Sequence, residues 1–187
     1  MPNIKEAYTN AKQRINPEGL AFTAASNVTS YVIFPPMEGA ITYAAYEAAN
    51  HLDQDLLKFF AVGLLGIANA ASVGIESKAL EHDNYSASMT SSTLNIVTGK
   101  PLVSAIGGHI GNYVGLTIFN PLNIFALSTK NYSLLLESEG AASVALTSYF
   151  ITLNSLIING KTQPFIDRVR KVREGITKRV RRSKTDK

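Results

Sequence analysis

The chain has 187 residues, with 18 Lys and Arg against 14 Asp and Glu and a formal net charge of +4. It contains no Cys, which excludes disulfide scaffolds, thiolate metal sites and cysteine nucleophiles. The charges are unevenly distributed, because residues 19–37, 59–75, 101–129 and 140–160 contain no Asp, Glu, Lys or Arg. Since a helix needs about 20 mainly apolar residues to cross a bilayer, this pattern predicts an all-α integral membrane helical bundle with about four transmembrane helices.

Three regions follow from the charge distribution. They are an N-terminal cytoplasmic amphipathic segment (1–18), a transmembrane helical domain (19–160) and a basic cytoplasmic tail (161–187). Three Lys and Arg precede residue 19 and eleven lie in the tail, so the positive-inside rule predicts cytoplasmic termini in a cell or inner membrane. The first charge-free window is then an uncleaved anchor. Ser, Thr and Asn lower the hydropathy of every window, so a soluble alanine-rich bundle is the alternative.

The first window stops at Pro35-Pro36 and is followed by an amphipathic stretch. This order predicts either one span plus a surface helix or a broken helix. Within the stretch, Glu47, His51 and Asp55 recur every four residues and would form one stripe on a helix. The stripe either binds a divalent cation or relays a proton, or it is a solvated helix face. No second ligand element accompanies it, so no metal site and no cofactor are assigned.

The second window is predicted to be a single span with a run of small residues at Gly66, Ala70 and Gly74. Small residues at this spacing allow the backbones of two membrane helices to approach closely. Residues 76–100 follow it and are rich in Ser and Thr, which predicts a loop with a weak helix inside it. A fifth crossing is the alternative for this segment.

The third window carries a second run of small residues, at Gly107, Gly111 and Gly115. We expect the two runs to pack against each other inside the bundle; an oligomer seam or a pore lining is the alternative. The window is too long for one crossing. It is expected to begin with Pro101 in a first helical turn and to break at Asn120-Pro121.

His109 lies between these glycines, and a titratable group inside a membrane is a functional hypothesis by default. Helical geometry points it away from the glycine face. No carboxylate occurs in the same window, so Asn112 is its nearest polar neighbour in sequence. His109 is either a neutral side chain hydrogen-bonded to a facing helix or part of a proton or ion path.

The tail carries eleven basic and three acidic residues, and its apolar positions after Pro164 follow helical spacing. This pattern predicts a basic amphipathic helix on the cytoplasmic surface, in contact with anionic lipid headgroups or a cytoplasmic partner. The predicted contact residues are Arg168, Arg170, Lys171, Arg173, Lys178, Arg179, Arg181 and Arg182. No specific nucleic-acid recognition is expected, because no aromatic residue follows Phe165 to stack on bases.

The chain contains no phosphate-binding loop, dinucleotide-binding glycine pattern, zinc-protease motif or serine nucleophile elbow, so no catalytic residue is assigned. The predicted function is a non-catalytic structural or assembly subunit, homo-oligomeric or part of a complex, packed through glycine faces and anchored by its tail. The alternative is a small transporter or channel with a polar path through broken helices. Candidate residues of that path are Glu38, Glu47, His51, His109 and Asn112. A membrane-embedded enzyme is the third hypothesis.

Overall fold

The computed structural model describes residues 4–51 and 53–185, and all regular structure in these ranges is α-helical. The helices are α1 (Ile4–Arg14), α2 (Pro17–Ala49), α3 (Gln54–Asp83), α4 (Met89–Thr98), α5 (Pro101–Phe119), α6 (Pro121–Ser128), α7 (Tyr132–Ile158) and α8 (Gln163–Thr185). The predicted all-α class is therefore confirmed.

Within the described residues, α3, α5 and α7 are long and apolar enough to cross a membrane. These helices contain the second window, the first part of the third window and the fourth window. Three helices of this length and composition suggest a membrane protein. The first window lies in α2, where Asn27 and neighbouring Ser and Thr residues lower the hydropathy. Three candidate spans are thus found where the sequence predicts about four.

Helix α2 is continuous from Pro17 to Ala49, although Pro35 and Pro36 lie inside it. Neither predicted alternative, a span that stops at this pair before a surface helix or a helix broken there, agrees with this continuous helix. Each proline removes one backbone donor, which leaves the carbonyls of Tyr31 and Val32 without their helical partners. Both prolines are exposed and Phe34 and Glu38 on either side are buried, so packing of the opposite face holds the helix together.

The Glu47, His51 and Asp55 stripe does not exist in the structure, because α2 ends at Ala49 and α3 begins at Gln54. Asp53 caps the new helix by accepting hydrogen bonds from the backbone N–H groups of Asp55 and Leu56, at 3.0 and 3.2 Å. A carboxylate at a helix start is the favoured N-cap. The predicted single amphipathic helix is therefore a helix hairpin with its turn near residue 51.

The Ser- and Thr-rich segment is more helical than predicted. Helix α3 extends through residues 76–83, and α4 occupies Met89–Thr98. The loop is reduced to residues 84–88 and the turn at Gly99-Lys100. The ten residues of α4 span only about 15 Å, which is too short for a fifth crossing.

The predicted break in the third window is confirmed. Helix α5 ends at Phe119 and α6 begins at Pro121. Asn120 lies between them and caps α6, since its Oδ1 accepts a hydrogen bond from the N–H of Leu122 at 2.9 Å. Pro101 occupies the first turn of α5, as expected.

Helix α7 packs against α2, α3 and α6, while α5 packs against α3 and α4. Helix α4 runs antiparallel to α5, because Thr98 bonds Ser104 near the start of α5 and Thr90 bonds Asn112 further along it. The main apolar cluster is small and combines aromatic with alanine side chains. Its buried members are Phe34, Ala87, Ala142, Ala145, Leu146, Tyr149 and Phe150. Most other buried side chains are polar.

Candidate functional site

Residues 84–88 lead from the end of α3 back into the interior of the bundle. Tyr85 bonds Thr162, beyond the end of α7, whereas Ala87 bonds Asn154, two turns further inside that helix. At the top of the segment, Ser88 accepts a hydrogen bond from Asn112, in the middle of α5. The chain then turns and leaves the interior as α4. Residues 84–98 therefore form a re-entrant hairpin with one extended and one helical arm.

Side chains of the surrounding helices satisfy the backbone of the extended arm. The carbonyl of Ser86 accepts from Thr23 Oγ1 at 2.6 Å. The carbonyl of Ala87 accepts from Asn27 Nδ2 at 2.6 Å, and its N–H donates to Asn154 Oδ1 at 3.1 Å. Buried backbone groups need such partners. Thr and Asn residues that lower the hydropathy of the apolar windows therefore form hydrogen bonds with the backbone of the re-entrant hairpin.

Glycines allow α4 to approach α5 closely. A Cβ added at Gly108 would lie 1.7 Å from Ser91 Oγ, and one added at Gly107 would lie 2.9 Å from Leu94. At Gly111 the nearest atom, on Thr90, is 3.1 Å away. These distances leave little or no room for a larger side chain, so Gly107, Gly108 and Gly111 face the helical arm of the hairpin.

The small residues of α3 lie elsewhere. A Cβ added at Gly66 or Gly74 meets no atom within 4 Å, and Ala70 is exposed. Gly115 is equally open at the far end of α5. The expected packing of the two small-residue runs against each other is therefore not found within the chain. The wider packing role of these positions stays a prediction.

Glu76 and His109 form a buried pair between α3 and α5. The carboxylate Oε2 lies 3.0 Å from His109 Nε2, and Ser72 Oγ lies 3.3 Å from the same nitrogen. Ser86 of the re-entrant hairpin donates to Glu76 Oε1 at 2.9 Å. Glu76 is completely buried and His109 is 4% exposed. This is an ionisable pair in an environment that disfavours an isolated charge.

A chain of polar contacts connects this pair with Asn112. Ser86 Oγ contacts Glu76 and also accepts from the N–H of Ser88 at 3.1 Å. Ser88 Oγ in turn accepts from Asn112 Nδ2 at 3.0 Å. The extended arm of the hairpin therefore links the buried pair to the middle of α5.

A cleft of about 620 Å³ opens between α2 and α5, next to the tip of the re-entrant hairpin. Its size lies in the range of small-molecule sites. Its polar wall consists of Asn27, Ser30, Glu38, Thr90, Asn112 and Asn120. Its aromatic wall consists of Tyr31, Phe34, Phe119 and Phe150.

Among the described residues that line the cleft, Glu38 is the only acidic one, and none is Lys, Arg or His. Its Oε1 accepts hydrogen bonds from Asn120 Nδ2 at 3.0 Å and from Ser138 Oγ at 3.1 Å. The residue is 6% exposed. Neutral donors thus orient the carboxylate, but no basic side chain of the cleft wall balances its charge.

The structure brings together some of the predicted path residues. Glu38 and Asn112 line the same cleft, and His109 belongs to the buried pair linked to Asn112. Glu47 is exposed near the end of α2, and His51 is exposed in the turn that follows. Neither of these two lines the cleft.

The predicted basic contact residues all lie on α8 and are exposed. Arg173 contacts the buried Glu18 on α2, with 2.9 Å between Nη2 and Oε1. Arg170 lies 3.5 Å from Asp167 on its own helix. The contact between Arg173 and Glu18 connects the tail to the start of α2.

Sequence reasoning missed Glu76, Ser86 and Ser88 as site residues. Glu76 is the first charged residue after the second window, and this position is the one signal that marks it. The two serines lie in the segment predicted to be a loop. Among the residues that the structure describes, no three His, Asp or Glu side chains are grouped so that they could hold a metal ion.

No protein-family model, curated protein or solved structure matches the chain.

Proposed function

We propose that the chain is a small polytopic membrane protein that passes a small polar solute or ion through the cleft between α2 and α5. The observation that carries this proposal is the re-entrant hairpin beside the cleft. Inside a bilayer, non-helical backbone is tolerated only where protein buries it or where it lines a water-filled cavity. Such interruptions at membrane depth are typical of transport paths.

In this proposal α2 is the fourth span. Its 33 residues extend about 50 Å, more than the hydrocarbon core of a bilayer requires. Thr23, Ser26 and Glu38 face the bundle, while Val28 and Val32 are exposed as a lipid-facing surface would be. Four spans place both basic ends of the chain on one side, which the positive-inside rule assigns to the cytoplasm.

The buried pair supports the same function. Ionisable residues inside a membrane are costly and commonly mark ion or proton paths. Glu76 and His109 are both buried and are connected to the cleft residue Asn112 through Ser86 and Ser88. A change of charge at the pair can therefore alter the hydrogen bonds that hold Asn112 at the cleft.

In the proposed topology, the tail helix α8 is a basic helix that lies on the membrane surface. On α8, Val172, Ile176 and Val180 are exposed together with the basic residues. An amphipathic helix of this kind lies in the membrane interface, where anionic headgroups add about 1 kcal/mol per basic residue near the surface. The contact of Arg173 with Glu18 would hold α8 beside the cytoplasmic end of α2.

The proposal is tested by reconstituting the full chain into liposomes and measuring uptake of radiolabelled guanidinium, urea and chloride. These probes are a cation, a neutral solute and an anion of small size. Uptake of one class above that of protein-free liposomes supports a path through the protein. Equal uptake of all three probes in both kinds of liposome would contradict it.

A second candidate is the assembly subunit predicted from the sequence, and the surface of α3 favours it. Only 6% of the apolar window of α3 is buried within the chain, against 50% for α7. Gly66, Ala70 and Gly74 are open on this surface, where a helix of another subunit would find a close-packing face. Transport through the cleft and assembly through α3 use different surfaces, so one subunit of a complex could perform both functions.

A further inference from the structure

We infer that the cleft between α2 and α5 binds an organic ammonium ion, with Glu38 as its counter-ion. This inference rests on the proposed function of the cleft and names its substrate class. It is carried by the hydrogen-bonding state of the polar wall, the charge of Glu38 and the aromatic wall that faces the same space.

On the α2 side, the donors of the polar wall are already used within the protein. Asn27 Nδ2 donates to the carbonyls of Thr23 and Ala87, at 2.8 and 2.6 Å. The hydroxyl of Ser30 donates to the carbonyl of Asn27. Their oxygen atoms keep acceptor capacity, because an amide or hydroxyl oxygen has two lone pairs.

The other side of the polar wall follows the same rule. Thr90 Oγ1 donates to Asn112 Oδ1 at 3.3 Å, and Asn112 Nδ2 donates to Ser88 Oγ at 3.0 Å. Asn120 Nδ2 donates to Glu38 Oε1 at 3.0 Å. These side chains therefore offer mostly acceptors to a ligand, the exception being the second N–H of Asn112, since an amide nitrogen carries two and one is used for Ser88. A wall of this kind favours a ligand that carries several N–H groups.

The electrostatics of the cleft selects a positive ligand. Glu38 is the only ionisable residue besides Tyr31 among those that line the cleft. The start of α4 also reaches the cleft at Thr90, but Ser88 caps it by accepting from the N–H of Ser91. A buried carboxylate without a basic partner favours binding of a cation, since pairing offsets the cost of the isolated charge.

The aromatic wall selects an organic cation. Tyr31, Phe34, Phe119 and Phe150 line the same cleft as Glu38. Ring faces attract ammonium groups through the cation–π interaction and bury the attached carbon atoms. A hydrated inorganic ion would gain nothing from these rings, whereas an alkyl- or arylammonium ion uses both walls.

The test is equilibrium binding of benzylammonium to the full chain in detergent, measured by titration calorimetry. Benzyl alcohol and benzoate serve as neutral and anionic probes of similar shape. We expect saturable binding of benzylammonium only. Glu38→Gln is expected to weaken it about tenfold or more, because a charge-assisted contact is lost. Glu137→Gln, on an exposed residue of α7, is the matched control and leaves binding unchanged.

Glu38→Asp keeps the charge and is expected to retain more affinity than Glu38→Gln. If Glu38→Gln does not fold, this variant and the three probes on the native chain still decide the question. Binding of benzoate or benzyl alcohol as tight as that of benzylammonium would overturn the inference. So would unchanged affinity in a folded Glu38→Gln protein.

Binding and flux separate this inference from the function on which it rests. If benzylammonium does not bind but urea or chloride enters the liposomes, the ammonium site is wrong and the transport function stands. If benzylammonium binds in a Glu38-dependent manner and no solute enters, the site is correct and the transport function is wrong.

Discussion

Glu76 on α3 and His109 on α5 are paired at 3.0 Å in the interior of the bundle, where Glu76 is completely buried and His109 is almost completely buried. The pair joins two of the candidate spans. It also contacts the re-entrant hairpin through Ser86. The pair and its contact with Ser86 therefore connect three elements of the proposed path.

Removing one partner of this pair is expected to destabilise the protein strongly. Glu76→Ala or His109→Ala leaves the other group buried without its partner, at a cost of about 3–5 kcal/mol. The double variant is expected to cost clearly less than the sum of the two. Thermal unfolding in detergent, followed by circular dichroism, measures these differences.

Glu81→Gln is the control for this experiment, because Glu81 is exposed on the same helix. Its effect should remain within about 0.5 kcal/mol. Additive effects of Glu76→Ala and His109→Ala would show that the two side chains do not depend on each other.

Close packing of α4 on α5 gives a second prediction. A Cβ at Gly108 would lie 1.7 Å from Ser91 Oγ and 2.9 Å from the Cα atom of the same serine. Gly108→Ala is therefore expected to displace the hairpin backbone and destabilise the protein by about 1–3 kcal/mol. Gly115→Ala, where a Cβ meets nothing within 4 Å, should have little effect. Equal stability of the two variants would contradict the close contact.

The helical class, the three apolar helices and the break at Asn120-Pro121 could be predicted because each depends on local composition or on a proline effect. The course of α2 through Pro35-Pro36 could not, since tertiary packing of Phe34 and Glu38 overrides the local signal. The re-entrant hairpin was also missed. Its Ser and Thr residues resemble a solvated loop, and only contacts with distant helices show that Ser86, Ser88, Ser91 and Ser92 are buried.

The site was predicted in part for a similar reason. His109 and Asn112 lie inside a charge-free window, where a polar or titratable residue is conspicuous, and Glu38 follows the Pro35-Pro36 pair at which a break was expected. Glu76 lies just outside a window, where a charged residue is ordinary. Its burial depends on the partner on α5, which is 33 residues away in sequence.

The proposed topology predicts which residues are accessible from each side of the membrane. The chain contains no Cys, so single cysteines can be placed without removing native ones. In intact cells, a membrane-impermeant maleimide should label Ser133→Cys at the start of α7 and leave Ser183→Cys in the tail unlabelled. Both positions are exposed, and permeabilised cells provide the control. Labelling of Ser183→Cys in intact cells would contradict cytoplasmic termini.

The open surface of α3 gives a prediction for assembly. Ala70→Cys is expected to form a disulfide-linked dimer, or a link to a partner subunit, when native membranes are oxidised. Ala79→Cys lies on the same helix but is buried within the chain, and it should not cross-link. The result is read as a shift in mass on a non-reducing gel. Absence of any Ala70→Cys product would indicate that lipid covers this surface.

The central claim is that a solute passes through the cleft. It is tested most directly by measuring solute uptake into liposomes with a variant whose cleft is filled by a larger side chain. Gly115 lines the cleft, and a Cβ added there meets no atom within 4 Å, so Gly115→Leu should fill the path without disturbing the bundle. Gly63→Leu is the matched control, because Gly63 is equally open but lies on α3, away from the cleft and outside the small-residue run. We expect Gly115→Leu to lower uptake of the transported probe to that of protein-free liposomes, and Gly63→Leu to leave it unchanged. Equal uptake by both variants and the native chain would show that the solute does not pass through the cleft.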